Sequence, residues 1–212
     1  RRAVRELVFR AIRVCGEAPL SGRAAMLLLA SGDEALNALF DGSSHAPAPI
    51  KAEEPVATAG VAPLWLVAAL KSSGIGEVEA KSLLERAPLD IRINSLREGS
   101  AEMPSGAERT VAAHGWRYPH GTRIEGTPAW SSGMIEVQDT GSQLACEAVA
   151  AQAGERIIDL CAGGGGKTLA LSAAMKGTGQ ILATDTDRNR LSRLLPRAER
   201  AGATGIETRL LN

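Results

Sequence analysis

An apolar run, Arg156-Ile157-Ile158-Asp159-Leu160, leads into Cys161, Ala162 and four consecutive glycines, Gly163 to Gly166, with a helical stretch beginning at Lys167. Few architectures send a strand through glycines into a helix. Glycine reaches backbone conformations closed to other residues and lets main-chain N–H groups approach a ligand. Four in succession cost more backbone entropy than a plain turn requires, so a ligand-facing loop is expected. The alternation continues on both sides: helix Ser142–Ala151, helix Lys167–Met175, strand Ile181–Thr184, helix Asn189–Ala201 and strand Ile206–Leu211. Such alternation predicts an α/β fold with a parallel, doubly wound sheet. Three strands would leave an edge unpaired and a face uncovered. The chain begins at Arg1 without Met and stops at Asn212 inside an element, so both ends read as trimmed and further sequence is expected after Asn212.

The segments before Ser142 read differently. Val4, Leu7, Val8, Ala11 and Ile12 fall on one helical face. Ser21 is positioned to cap a helix through Leu29, and Asp33 another through Phe40. Ser43 to Gly60, with Pro47, Pro49 and Pro55, reads as a linker. Pro63 opens a further helix, and another spans Gly76 to Arg86. After Pro88 the period drops to two: Leu89, Ile91 and Ile93 alternate with Asp90, Arg92 and Asn94, a strand pattern. Residues 98–113 are weakly patterned, whereas Trp116 to Ile124 and Met134 to Val137 read as short strands. The expected organisation is a helical accessory region with its linker over 1–60, a helix pair plus a small α+β module over 61–140, and the α/β part over 141–212.

Composition excludes several classes. Hydrophobic residues at 44% and charged residues at 23% are enough to bury a core, and no apolar run approaches a membrane span or signal peptide. Three scattered cysteines and three histidines build no metal-site spacing, so a cytoplasmic protein with no metal and no membrane partner is expected. Lys and Arg number 24 against 24 Asp and Glu, so no global attraction to nucleic acid is signalled.

Three ligands compete for the glycine loop. Gly166-Lys167-Thr168 suggests a phosphate loop, but G-x-x-x-x-G-K-[ST] needs glycine where Cys161 stands. A dinucleotide fingerprint would need glycine at Thr168 or at Leu169. The third ligand is S-adenosylmethionine, whose ribose hydroxyls need an acid at the end of the second strand. Asp185 stands there, about 20 residues past the glycines, the spacing of a ribose-binding acid. A helix N-cap is the plain alternative for Asp185, and Asp159 is placed to accept loop N–H groups.

Asp159-Leu160-Cys161-Ala162-Gly163-Gly164-Gly165-Gly166-Lys167-Thr168 resembles the cofactor motif of the Sun/RsmB family of RNA (cytosine-5-)-methyltransferases, with Gly163-Gly164 where the family usually has Ala-Pro. Ile91 to Arg97 is similar to that family's LRVNxLK strand, and Val137 to Ser142 lies in a segment similar to its QDxxSQ motif. The resemblance covers residues 60 to 212. It implies the N-terminal part of a Rossmann-like methyltransferase sheet, preceded by a small RNA-recognition-like α+β module and an N-terminal helical region. It also implies S-adenosyl-L-methionine as cofactor, held by Cys161, Ala162, Gly163, Gly164, Gly165, Gly166 and Lys167, with Asp185 on the ribose. The implied reaction is methyl transfer to carbon 5 of a cytosine in RNA, with rRNA as partner.

That reaction needs a thiolate to add at cytosine C6 before C5 can attack a methyl group. The family carries its cysteines in Pro-Cys and Thr-Cys segments, and neither segment occurs here. Cys146 reads as a buried hydrophobe, Cys15 as structural, and Cys161 as facing the cofactor, so no catalytic residue is assigned and the chain alone is not expected to turn over. Arg190, Arg193, Arg197 and Arg200 form a helical stripe that is either a phosphate contact or a solvated face. Arg92, Asn94 and Arg97 are candidate RNA contacts, while Trp116, Tyr118 and Trp130 read as core. Two other functions stay open: a non-catalytic RNA-binding module retaining the loop, and a nucleotide hydrolase using Gly166-Lys167-Thr168.

Overall fold

The computed structural model describes residues 2–97 and 105–211. The first part of the weakly patterned segment, 98–104, and the end residues Arg1 and Asn212 lie outside the described residues. The chain divides into two units, Arg1–Arg86 and Ala87–Asn212.

The first unit is helical. Helices α1 (Arg2–Val14), α2 (Gly22–Ala30) and α3 (Glu34–Asn37) enclose a core of Ala11, Ala25, Leu27, Leu29, Leu36 and Phe40. The Ser21 hydroxyl accepts Ala24 N–H at 3.1 Å and the Asp33 carboxylate accepts Leu36 N–H at 3.1 Å, so both expected caps are in place. Helix α1 turns Leu7, Ala11 and Val14 inward and leaves Val4, Val8 and Ile12 exposed, a rotation from the expected face. Helix α3 stops at Asn37, short of Phe40. The expected linker is a strap fastened to the helices: Ala57 N–H donates to Ala24 O, Gly16 N–H to Thr58 O and Gly60 N–H to Val14 O. Helices α4 (Leu64–Ser72) and α5 (Glu77–Ser82) share an apolar groove with that strap, lined by Val14, Ala59, Val67, Leu70 and Leu84. This shared groove puts the helix pair with residues 1–60, and the boundary falls at Arg86 instead of Gly60.

The second unit contains two sheets. Strands β1 (Leu89–Ile93), β2 (Glu108–Arg109), β3 (Gly115–Tyr118) and β4 (Ile135–Val137) form an antiparallel sheet in the order β2-β3-β1-β4, with the short helix α6 (Pro128–Ser131) before β4. Ile91, Tyr118, Ile124, Ala129 and Ile135 form its core, with Trp116 and Trp130 packed against them. The period of two in β1 is present, but its polar face does not meet solvent. Asp90, Arg92 and Asn94 are all at least 95% buried. Asn94 Nδ2 donates to the carbonyls of Gly133 and Ala201, Arg92 Nε donates to Gln138 Oε1, and Asp90 pairs with Arg117 and accepts from Thr140. The polar face of β1 is therefore an internal joint, and Arg92 and Asn94 are not available to RNA. Arg97 is also committed, donating to the carbonyls of Glu199 and Arg200 at the end of a helix.

After helix α7 (Thr140–Val149), strands β5 (Arg156–Asp159), β6 (Gln180–Asp185) and β7 (Ile206–Leu210) form a parallel sheet in the order β5-β6-β7. Helix α8 (Gly166–Ala174) connects β5 to β6; α9 (Arg188–Leu191) and α10 (Leu194–Ala201) connect β6 to β7. The expected single helix is broken at Ser192-Arg193. Pro196 has no N–H for the Ser192 carbonyl, and its ring crowds that carbonyl. Ile157, Ile181, Ala183, Ile206 and Leu210 face the helices through Leu169, Met175, Leu194 and Ala198. Ile158 and Leu160 are 66% and 63% exposed on the other face. The helices α8, α9 and α10 thus lie on one face of this sheet, and the doubly wound arrangement expected from the alternation is half realised.

Candidate cofactor-binding site

The loop between β5 and α8 is pinned from below and from the side. Ala162 N–H donates to Thr184 O at 2.8 Å, and Gly163 N–H to Asp185 Oδ2 at 2.7 Å. Gly165 N–H donates back to Ala162 O, and Arg197 Nη1 donates to Gly164 O at 2.7 Å. Gly163 and Gly165 have φ of 53° and 87°. At Gly165 a side chain would also meet Leu194 Cγ at 2.7 Å, which is why this position needs glycine. The first-turn N–H groups of α8, which begins at Gly166, have no helical carbonyl behind them and point out of the loop.

A cleft of about 260 Å³ opens over the loop. Five of the eight expected residues line it: Cys161, Ala162, Gly164, Gly166 and Lys167. Gly163, Gly165 and Asp185 lie beneath, forming the support. Val137, Gln138, Asp139 and Ser142 make the opposite wall, and Arg190 closes one side. Of these five, the sequence marks Arg190 only as part of the arginine stripe and the other four only through the QDxxSQ-like segment, with no place at the cleft. The signal for the wall was the Gln138-Asp139 segment three residues before Ser142, whose position across from the loop only the fold reveals.

Asp185 ends β6 and is 5% exposed. Its two oxygens accept Gly163 N–H and, at 2.8 Å, Asp187 N–H. The N–H groups of Asp187 and Gly163 hold its carboxyl below the usual carboxylate range. Each oxygen keeps a lone pair for a further donor. The helix cap is its neighbour: Asp187 Oδ1 accepts Asn189 N–H and Arg190 N–H. Asp159 does not take loop N–H groups. Its Oδ2 accepts the Thr168 hydroxyl at 2.7 Å, and Thr168 is fully buried. That bond removes the hydroxyl a phosphate loop presents to magnesium, and Asp139 adds a negative wall where phosphates would lie.

The arginine stripe divides: Arg197 and Arg200 turn inward, whereas Arg190 and Arg193 stay exposed. Arg197 Nη2 donates to Glu136 Oε2 at 2.8 Å, and Arg200 pairs with Glu136 Oε1 while its guanidinium lies 3.7 Å from the centre of the Trp130 ring. Arg190 lines the cleft and Arg193 is exposed. Cys146 is buried, its thiol pushed up by burial, while Cys161 is exposed on the cleft and Cys15 is half-buried. Among the described residues no group of three or more His, Cys, Asp or Glu is gathered as metal ligands.

Residues 146–211, from α7 through β7, match the family model described as 16S rRNA methyltransferase RsmB/F. A ribosomal RNA small subunit methyltransferase B of Citrobacter koseri is 32% identical over 151 residues, 66% of this chain and 35% of the relative. The chain belongs to the Sun/RsmB family. A 28S rRNA (cytosine-C(5))-methyltransferase of Mus musculus is 38% identical over 87 residues, 41% of this chain and 11% of that protein. This Sun/RsmB chain spans about a third of the length of the bacterial relatives it matches. The crystal structure of PH0851 superposes with a TM-score of 0.62 at 26% identity, over 71% of this chain and 36% of that one. A methyltransferase homologue from Pyrococcus horikoshii, at 24% identity and a TM-score of 0.54 over 63% of this chain and 47% of that one, shares the fold. The Sun/RsmB chain therefore has the Rossmann-like methyltransferase fold.

Proposed function

We propose that this Sun/RsmB chain is the cofactor-cradling part of an S-adenosylmethionine-dependent RNA (cytosine-5-)-methyltransferase of the cytoplasm, with rRNA as its substrate class. The carrying observation is the chemistry of the cleft: two cations and free helix N–H groups on one side, one carboxylate on the other, and a buried acid beneath. S-adenosylmethionine is a zwitterion with a ribose diol, and this donor set suits it. Lys167, Arg190 and the first-turn N–H groups of α8 would take its carboxylate, and Asp139 its ammonium group. Asp185 would accept from the ribose with the lone pairs its loop bonds leave, while Cys161, Ala162 and Gly163 to Gly166 provide the backbone surface. At Gly166 an added Cβ would meet nothing within 4 Å, so the cradle is open there.

When bound, the cofactor supplies an electrophilic methyl group. The chain's own residues bind and orient it. The thiolate that adds to the base has no candidate among Cys15, Cys146 and Cys161. Cys146 is buried, its sulfur 3.8 Å from Gln138 Nε2 and 3.9 Å from Lys167 O, and Cys161 lies on the cofactor's own loop.

Calorimetry tests the assignment. S-adenosylmethionine and S-adenosylhomocysteine are expected to bind with one site per chain, and ATP with magnesium is not. The chain alone is expected to transfer no methyl group from tritiated cofactor to rRNA. ATP binding that disappears in Lys167→Ala would overturn the cofactor reading in favour of a nucleotide hydrolase.

A further inference from the structure

Arg197 reaches the glycine loop with one nitrogen and the small sheet with another. Nη1 donates to Gly164 O at 2.7 Å and Nη2 to Glu136 Oε2 at 2.8 Å. Glu136 is 1% exposed on β4, opposite Arg92 in the antiparallel register, and its second oxygen takes Arg200. Gly164 lies on the cleft and Glu136 lies behind it, 28 residues earlier in the chain.

We infer that Arg197 is a positioning residue for the cofactor cradle, setting the Gly164 peptide through an ion pair to Glu136. A peptide whose carbonyl is held by Arg197 has its plane fixed, because the C–N bond does not rotate. The N–H that Gly165 contributes to the same peptide is thereby held against Ala162 O, the contact that closes the turn ahead of α8. Glycine backbone would otherwise sample more than one arrangement, and ordering it on binding would weaken affinity. Glu136 acts by orienting the guanidinium, since a planar fork with both ends engaged has little freedom left. Arg200 supplies the internal comparison: it shares Glu136 and stacks on Trp130 but makes no contact with the loop. This role rests on the cofactor reading above.

The experiment compares Arg197→Met, Arg197→Lys and Arg200→Met in the same chain, measuring urea stability, the calorimetric Kd for S-adenosylmethionine, and amide hydrogen exchange at residues 163–167 without ligand. Both methionine variants are expected to lose stability. Only Arg197→Met should weaken the cofactor, by about tenfold or more, with Arg200→Met within about twofold of the parent, a difference of roughly 1.4 kcal/mol. Arg197→Lys, which keeps the charge but lacks the planar fork that reaches both acceptors, should recover part of the loss. Exchange at the loop should quicken in Arg197→Met and not in Arg200→Met. Equal Kd in the parent and Arg197→Met, or equal weakening in both methionine variants, would overturn the inference. If the parent binds no S-adenosylmethionine, the cofactor reading fails by itself. The exchange comparison then decides whether Arg197 sets the loop, and unchanged exchange in Arg197→Met overturns that too. Should Arg197→Met not fold, Glu136→Gln, which keeps the shape and removes the charge, carries the same comparison against Arg200→Met.

Discussion

Asn94 Nδ2 donates to Ala201 O at 2.8 Å, joining β1 to the last turn of α10 across 107 residues of sequence. The same nitrogen donates to Gly133 O at 2.8 Å, and Oδ1 accepts Leu96 N–H. One buried amide thus satisfies two carbonyls that water cannot reach. Asn94→Ala would leave both unpaired, at a cost of about 2–4 kcal/mol. Urea unfolding should show this loss in full, and Asn94→Asp, which cannot donate while ionised, should recover little of it.

Acid should destabilise the second unit in part through Asp90. Hydrogen bonds from Arg117, with Thr140 adding to them, lower its carboxyl to about 2 although burial opposes the shift. A carboxyl lowered in the folded state adds stability that is complete above its unfolded value near 4 and is lost as pH falls through the folded value. The window is therefore pH 4 down to 2, and the contribution is about 2 kcal/mol. Urea midpoints measured across that range should fall steeply in the parent and less steeply in Asp90→Asn, which starts lower.

Two neighbouring glycines should separate folding from binding. Gly165→Ala forces a side chain to a φ of 87° against Leu194 and should cost about 1–3 kcal/mol. Gly166→Ala starts a helix with open space around the new methyl group, so stability should hold or rise by up to about 1 kcal/mol. Gly166 lines the cleft, however, so S-adenosylmethionine affinity should drop. Unchanged affinity in Gly166→Ala would mean the ligand does not lie over the first turn of α8.

The cysteines give a direct view of the cleft. Cys161 is exposed on it, Cys15 is half-buried, and burial pushes up the Cys146 thiol. A thiol reagent should react first at Cys161, and saturating S-adenosylmethionine should slow that reaction alone. Protection of Cys15 would place the ligand in the first unit.

The loop and the alternation around it were legible because strand, glycine and helix signals are local. What failed was any inference that used polarity as a sign of solvent. Asp90, Arg92 and Asn94 alternate with apolar residues as an exposed face does, yet they meet a second layer through hydrogen bonds, and composition cannot distinguish water from a buried partner. The stripe of Arg190, Arg193, Arg197 and Arg200 is exposed at its first two members, but Glu136, at least 61 residues from Arg197 and Arg200, turns those two into internal braces. Pro196 is a readable helix breaker in a stretch whose apolar period continues through it. The wall opposite the loop could not have been assigned, since nothing in Gln138-Asp139 indicates which segment it faces.

Gly133 stands where β4 comes up to α10, with a φ of 74°, and a Cβ there would overlap the Arg200 carbonyl. A backbone obstacle cannot swing aside as a side chain can. The spacing between sheet and helix is set at this point by an atom that is missing, a gauge one methyl group wide. Any residue larger than hydrogen would act as a wedge, levering α10 from β4 and carrying Arg197 away from Gly164. A lesion remote from the cleft would then be felt as a loosened cradle, so screens for lost cofactor binding should return Gly133 among their hits although it touches no ligand.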